Sequence, residues 1–168
     1  MTGAVLHQKR GHEFRITINR PDRRNAINDE VVAGLAQGWK IAEEEGEIRA
    51  IVLTGAGDEA FCAGADLKSG PEFFAFDYSR PSNIHADLFR QVRSSPLPSV
   101  ARINGACVGG GMGLAAMCDL AVAADHTRFA LPEVKIGIFP TLILARVQGL
   151  VPGRVLTEWA VSGEPFDA

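Results

Sequence analysis

The chain has 168 residues, 46% of them hydrophobic and 22% charged, with a formal net charge of −3. That length suits one domain with a real core, and the interspersed charges exclude a basic nucleic-acid footprint or a polybasic membrane surface. No run approaches the about 20 apolar residues of a membrane span, and the opening MTGAVLHQKR turns polar too early for a signal peptide, so a cytoplasmic soluble protein is expected.

In chain order, VLHQKRGHEFRITINRP predicts two short strands around a turn at Arg10, Gly11 and His12. In the second strand Phe14, Ile16 and Ile18 alternate with polar neighbours, which buries one face. Pro21 stops it, and residues 22–25 form a polar loop. Asn28 is placed to cap a helix carrying Val31, Val32, Leu35, Trp39 and Ile41 to about residue 45. Residues 50–54 form an apolar strand of the kind buried on both faces. Residues 69–82, rich in Phe, Pro, Gly and Ser without a period, are expected to be a mobile segment over the site. A helix over 83–94, with Ile84, Leu88 and Val92 on one face, precedes a strand at 99–103 and a turn at Asn104 and Gly105. Gly109, Gly110 and Gly111 lead into a helix through Leu114, Ala115 and Met117. Residues 120–124 predict another buried strand, 129–131 a short extended piece, and Pro132 with Glu133 a turn of helix. The tail from 141 to 160 is expected to be mostly helical, broken at 149–153. Two similar units, strand then Gly-rich turn then a Gly/Ala-rich element, recur at 51–66 and 100–118. Strands alternating with helices predict an α/β fold with much parallel pairing.

Cys62, Cys107 and Cys118 are an odd set without CxxC spacing, and they are expected to be small buried hydrophobes in a reducing compartment. His7 and His12 lie away from the Gly-rich centre, and no cluster has metal-ligand spacing, so no metal is expected. Three consecutive glycines before a helix are costly in backbone entropy. Either a ligand approaches the main chain there, or another strand packs against it. A helix beginning just beyond points free N–H groups and its positive dipole end at whatever occupies the turn. A phosphate cradle is disfavoured: no GxxxxGK[ST] is present, residues 105–113 do not match GxGxxG in the required context, and Asp125 is too near to serve as the distant acidic residue.

FCAGADLK at 61–68 and NGACVGGGMGLAAMCDLAVAAD at 104–125 resemble the two signatures of the enoyl-CoA hydratase/isomerase (crotonase) family. NRPDRRNAI at 19–27 and FALPEVKIG at 129–137 are similar to its NRP-x-x-x-NA-[LI] and F-x-x-PE-x-x-x-G segments. The four matches run in order and span nearly the whole chain. The resemblance implies a crotonase/Clp-like α/β fold of repeated β-β-α units, with residues 1–168 as the acyl-CoA-binding catalytic core. It implies that the backbone N–H groups of Ala65 and Gly110 bind a thioester oxygen. Two fixed donors would stabilise the enolate through which acyl-CoA chemistry at C2 passes. Ala26, Ala63, Asp66, Leu67, Lys68, Gly109 and Pro132 are the further expected substrate-binding positions. Arg23 and Arg24 either favour the coenzyme A phosphates or are plain solvated charge. Coenzyme A belongs to the substrate, so no cofactor is expected, and the family pattern implies a homotrimer or hexamer.

Two departures stand out. Hydratases of the family usually carry two carboxylates. Here the PE segment supplies Glu133, whereas the position two residues after Gly111 is Gly113. Asp119, in the CD element, is expected to be structural. Adding water across a conjugated double bond needs a base for the water and an acid at C2, whereas moving a double bond needs one base. A lone Glu133 raises the isomerase alternative, yet Gly113 and the unusual GIFPTLIL at 137–144 also resemble hydratase branches without the first glutamate. Hydratase is preferred, with an isomerase or a non-catalytic acyl-CoA binder as alternatives. The second departure is length: the chain ends where the family continues into helices that cover the acyl pocket and build the trimer. Either the sequence is a truncated form or those helices are genuinely lost; in the second case apolar surface between 142 and 161 is expected to be partly uncovered. A Clp-type serine protease has no footing, because Met112, Gly113 and Leu114 offer no serine at the start of the post-glycine helix.

Overall fold

The computed structural model describes residues 3–70 and 83–168; residues 71–82, most of the Phe- and Pro-rich stretch, lie outside them. A hairpin opens the fold, with β1 (Val5–Arg10) antiparallel to β2 (Glu13–Ile18). Phe14, Ile16 and Ile18 are buried, as their alternation requires. Helix α1 (Asp29–Glu44) begins where Asn28 accepts a hydrogen bond from the Val31 N–H at 3.0 Å, a cap worth about 1 kcal/mol. Its apolar face, Val31, Leu35 and Trp39, is buried in the core.

β3 (Ala50–Gly55) pairs parallel with β2, β5 (Ser99–Ile103) parallel with β3, and β7 (Leu120–Ala123) parallel with β5. They give a five-stranded sheet in the order β1-β2-β3-β5-β7. A second sheet collects the short strands that follow each turn: β4 (Ala60–Cys62), β6 (Ala106–Val108), β8 (Arg128–Ala130) and β9 (Phe166–Asp167), with only the last pair antiparallel. The repeated unit is therefore one strand in each sheet followed by a helical element. In the first unit that element is a single 3-10 turn, Leu67–Ser69; in the second it is helix α3 (Gly110–Met117).

Helix α2 (Ile84–Ser94) is capped by Asn83, but it buries Leu88 and Val92 and leaves Ile84 exposed. Helices α4 (Thr141–Val147) and α5 (Gly153–Ser162) form the tail, broken where expected. The expected burial of the 120–124 strand is corrected. Leu120 and Val122 are each 64% exposed, because β7 is the last strand of its sheet and no described element covers it. Among the described residues, no helix is long and apolar enough to cross a membrane.

Candidate functional site

The site grows from the two strand-to-turn junctions of the second sheet. After β4 the chain passes through Gly64, at φ +91°, a conformation that favours glycine. A side chain there would meet the Val108 carbonyl oxygen at 3.0 Å and the Gly110 nitrogen at 3.4 Å, so the second turn lies directly against the first. Ala65 forms an isolated parallel bridge with Ile27. The Ile27 N–H donates to the Gly64 carbonyl and the Asp66 N–H to the Ile27 carbonyl, each at 2.8 Å. In such a bridge the flanking residues take both bonds, so the N–H of Ala65 itself is turned away from Ile27.

In the second turn the Gly109 N–H donates to the Ala130 carbonyl at 2.8 Å, which ties the turn to β8. The three glycines answer three different neighbours. A Cβ on Gly109 would lie 2.5 Å from Glu133 Oε1, one on Gly110 would lie 3.0 Å from Ile27 Cδ1, and one on Gly111 would strike the Cys62 carbonyl oxygen. Strand packing therefore accounts for the bare backbone at Gly111, while Gly109 makes room for a titratable side chain. The Gly110 Cβ position is also 3.7 Å from the Ala65 nitrogen. The Ala65 and Gly110 amides thus sit beside each other, the second at the first turn of α3, where the helix dipole adds positive potential.

Glu133 stands in the 3-10 turn Pro132–Ile136, with half-buried Pro132 leading it. Its Oε1 faces Gly109, and its buried Oε2 has no hydrogen-bond partner among the described residues. Burial pushes its pKa above the ordinary carboxylate range, and a backbone hydrogen bond offsets this only partly. Leu131, just before the turn, is fully buried, whereas Ile136 within it is exposed. At Gly113, where a second carboxylate would fall, a Cβ would meet Phe89 Cζ at 3.3 Å and Ile143 Cγ1 at 3.4 Å. An apolar wall occupies that side.

The other expected positions separate into two groups. Ala26, Ala63, Asp66, Leu67 and Lys68 lie along the 20–27 loop and the segment facing it, where the Ala63 N–H donates to the Arg24 carbonyl at 3.0 Å. Leu67 and Lys68 are exposed and Ala26 is buried. Asp66 is not an open group: it accepts from Arg20 Nη2 at 2.7 Å and from the Lys68 N–H at 3.1 Å, and the guanidinium holds its carboxyl below the usual range. Arg23 and Arg24 are exposed beside this segment. Among the described residues, the Arg24 side chain makes a 4.0 Å pair with Glu59. Asp119 accepts from the Ser99 N–H and Oγ, both at 2.8 Å, and so ties β5 to the residue before β7.

Sequence reasoning overlooked Arg20 and Asn25. Asn25 is fully buried at φ +56°; its Nδ2 donates to the Ala56 and Ala60 carbonyls at 3.0 and 2.7 Å, and its Oδ1 accepts from the Arg20 N–H at 3.0 Å. The only signal for both was their presence in the NRP-x-x-x-NA segment. Cys62, Cys107 and Cys118 are free and buried, and burial pushes the Cys62 and Cys118 thiols up to about 12. No group of three or more His, Cys, Asp or Glu among the described residues is placed to hold a metal ion. Two adjacent amides beside a carboxyl of raised proton affinity are suited to hold an anionic oxygen and to move a proton near it.

The sequence profile of the enoyl-CoA hydratase/isomerase family matches residues 13–168. The chain is 35% identical over 167 residues to (E)-benzylidenesuccinyl-CoA hydratase of Thauera aromatica, covering 94% of this chain and 61% of the relative. It is 41% identical over 140 residues to a mitochondrial enoyl-CoA hydratase of Pongo abelii, covering 81% of this chain and 47% of the relative. Its fold superposes on an enoyl-CoA hydratase/isomerase from Marinobacter aquaeolei with a TM-score of 0.85 at 32% identity, over 98% of this chain and 65% of the other. The chain thus spans about half to two thirds of the length of the relatives it matches. With its sequence signatures, its two-sheet fold and its paired glycine turns in agreement, the chain belongs to the enoyl-CoA hydratase/isomerase family.

Proposed function

We propose that this chain carries the core of an enoyl-CoA hydratase, which adds water to a 2-enoyl-CoA thioester through an enolate. The observation that carries this reading is the juxtaposition of Glu133 with the Ala65 and Gly110 amides across Gly109. The two amides form an oxyanion hole that accepts the thioester oxygen. Glu133, ionised, takes a proton from water as the oxygen bonds to C3, and the π electrons move onto the thioester oxygen. The same carboxyl then returns the proton to C2, the C–O double bond re-forms, and the net change is one water added. A single carboxyl of raised proton affinity can serve as both base and acid because it meets the two steps in opposite protonation states. No cofactor is needed beyond the coenzyme A carried by the substrate. Its phosphates fall to the exposed Arg23 and Arg24, and its remaining length to the 63–68 segment. The relatives named as hydratases support this reaction over double-bond isomerisation. We assign the protein to the cytoplasm, where three reduced thiols persist, and its assembly to a homotrimer or hexamer.

Glu133→Gln tests the reading. Hydration of a short 2-enoyl-CoA, followed by loss of absorbance of the conjugated thioester, should fall about 10³-fold or more while thioester binding stays within a few-fold. Retention of most activity would overturn the assignment. Binding without turnover by the wild-type chain would make it an acyl-CoA binder, and conversion of 3-enoyl but not 2-enoyl esters would make it an isomerase.

A further inference from the structure

Arg20 lies between β2 and the 3-10 turn Pro21–Arg23, and its guanidinium reaches two points of the site at once. Nη1 donates to the Ala26 carbonyl, and Nη2 to Asp66 Oδ2 at 2.7 Å. The two side chains are only 17% and 12% exposed, so water competes weakly for this charge-assisted pair. Ala26 immediately precedes Ile27 and Asp66 immediately follows Ala65. The guanidinium therefore grips the chain on both sides of the Ile27–Ala65 bridge. Backbone bonds at Ala63, Ile27 and Asp66 hold the two segments together without it, so removing the side chain loosens their alignment rather than detaching them.

We propose that Arg20 is a positioning residue for the oxyanion hole: by joining Ala26 to Asp66 it fixes the direction of the Ala65 N–H. This rests on the reading of Ala65 and Gly110 as donors to a thioester oxygen. A misdirected amide still allows the thioester to bind, but it polarises the carbonyl less, so the loss falls on the chemical step rather than on affinity. An Arg–Asp pair that served stability alone would lower the melting temperature and leave polarisation intact.

The test uses a para-amino-substituted cinnamoyl-CoA, whose absorption band moves to longer wavelength as its thioester carbonyl is polarised. Bound to the wild-type chain, the probe should show a clear red shift. Arg20→Ala should lose at least about half of that shift, lower kcat about 10- to 100-fold and change the probe's Kd and the substrate KM by less than about 3-fold. Asp66→Asn should act in the same direction. Arg20→Lys, which can reach Asp66 but cannot also bond Ala26, should recover only part of the shift. A full red shift in folded Arg20→Ala, or in both Asp66→Asn and Arg20→Lys should Arg20→Ala not fold, overturns the proposal and leaves the oxyanion hole standing. A bound probe that shows no shift in the wild-type chain overturns the hole itself, and the proposal with it.

Discussion

At Glu133 one half-buried carboxyl combines a buried oxygen lacking a partner among the described residues with a glycine that leaves room for the other. Burial raises its folded pKa above the ordinary value of 4.5. Between those two values the folded chain keeps a proton that the unfolded chain has released. The group's contribution to stability is therefore fully present below the ordinary value and is lost as pH rises through the raised one. Glu133→Gln removes that dependence. The melting temperature of the variant relative to wild type should accordingly rise as pH increases from about 4 to about 7. A difference that stays flat across this range would mean that the carboxyl is as well solvated folded as unfolded. Glu133 was legible in the sequence because the PE segment singles it out. Arg20 and Asn25 were not: among the many charged and amide side chains of the chain, only three-dimensional contacts show that Arg20 pairs with Asp66 and that Asn25 is fully buried against the Ala60 carbonyl.

Elements were read well wherever a local signal fixes them, as at the Asn28 cap or the alternation of β2. What they enclose was less readable, and Gly113 shows why. Its sequence neighbours state only that a carboxylate is missing. The packing of α3 against α2 and α4 shows that Phe89 and Ile143 fill the position. Restoring the two-carboxylate pattern by Gly113→Glu should therefore not improve hydration. It should overpack the three-helix contact and cost about 1–3 kcal/mol of stability. Adding Phe89→Ala opens space on that side and should recover part of the loss. Denaturant unfolding of the single and double variants measures both effects. A Gly113→Glu chain as stable as wild type and more active would show that α2 yields easily and that the apolar wall is incidental.

At the scale of the whole molecule, the sequence revealed the α/β class and the repeated unit, yet it misread the burial of β7. An apolar run reports how many faces of a strand are greasy, and it is silent about what lies against them. Leu120 and Val122 stand on the last strand of the five-stranded sheet, and a groove of about 540 Å³ is lined by Leu120 together with Ala115, Trp159, Phe166 and further apolar side chains. Leu150 and Val161 extend the exposed surface. An apolar patch on an unpaired strand edge favours association, both by removing hydrocarbon from water and by offering unpaired backbone groups. The isolated chain should therefore self-associate as its concentration rises. Leu120→Lys combined with Val122→Lys places two charges on that edge and should shift the sedimentation distribution towards the monomer. The far-ultraviolet circular dichroism should stay unchanged, because both side chains already face solvent. A wild-type chain that remains monomeric over a wide concentration range would show that this surface is tolerated uncovered. Equal association by the lysine variant would move the contact elsewhere on the molecule.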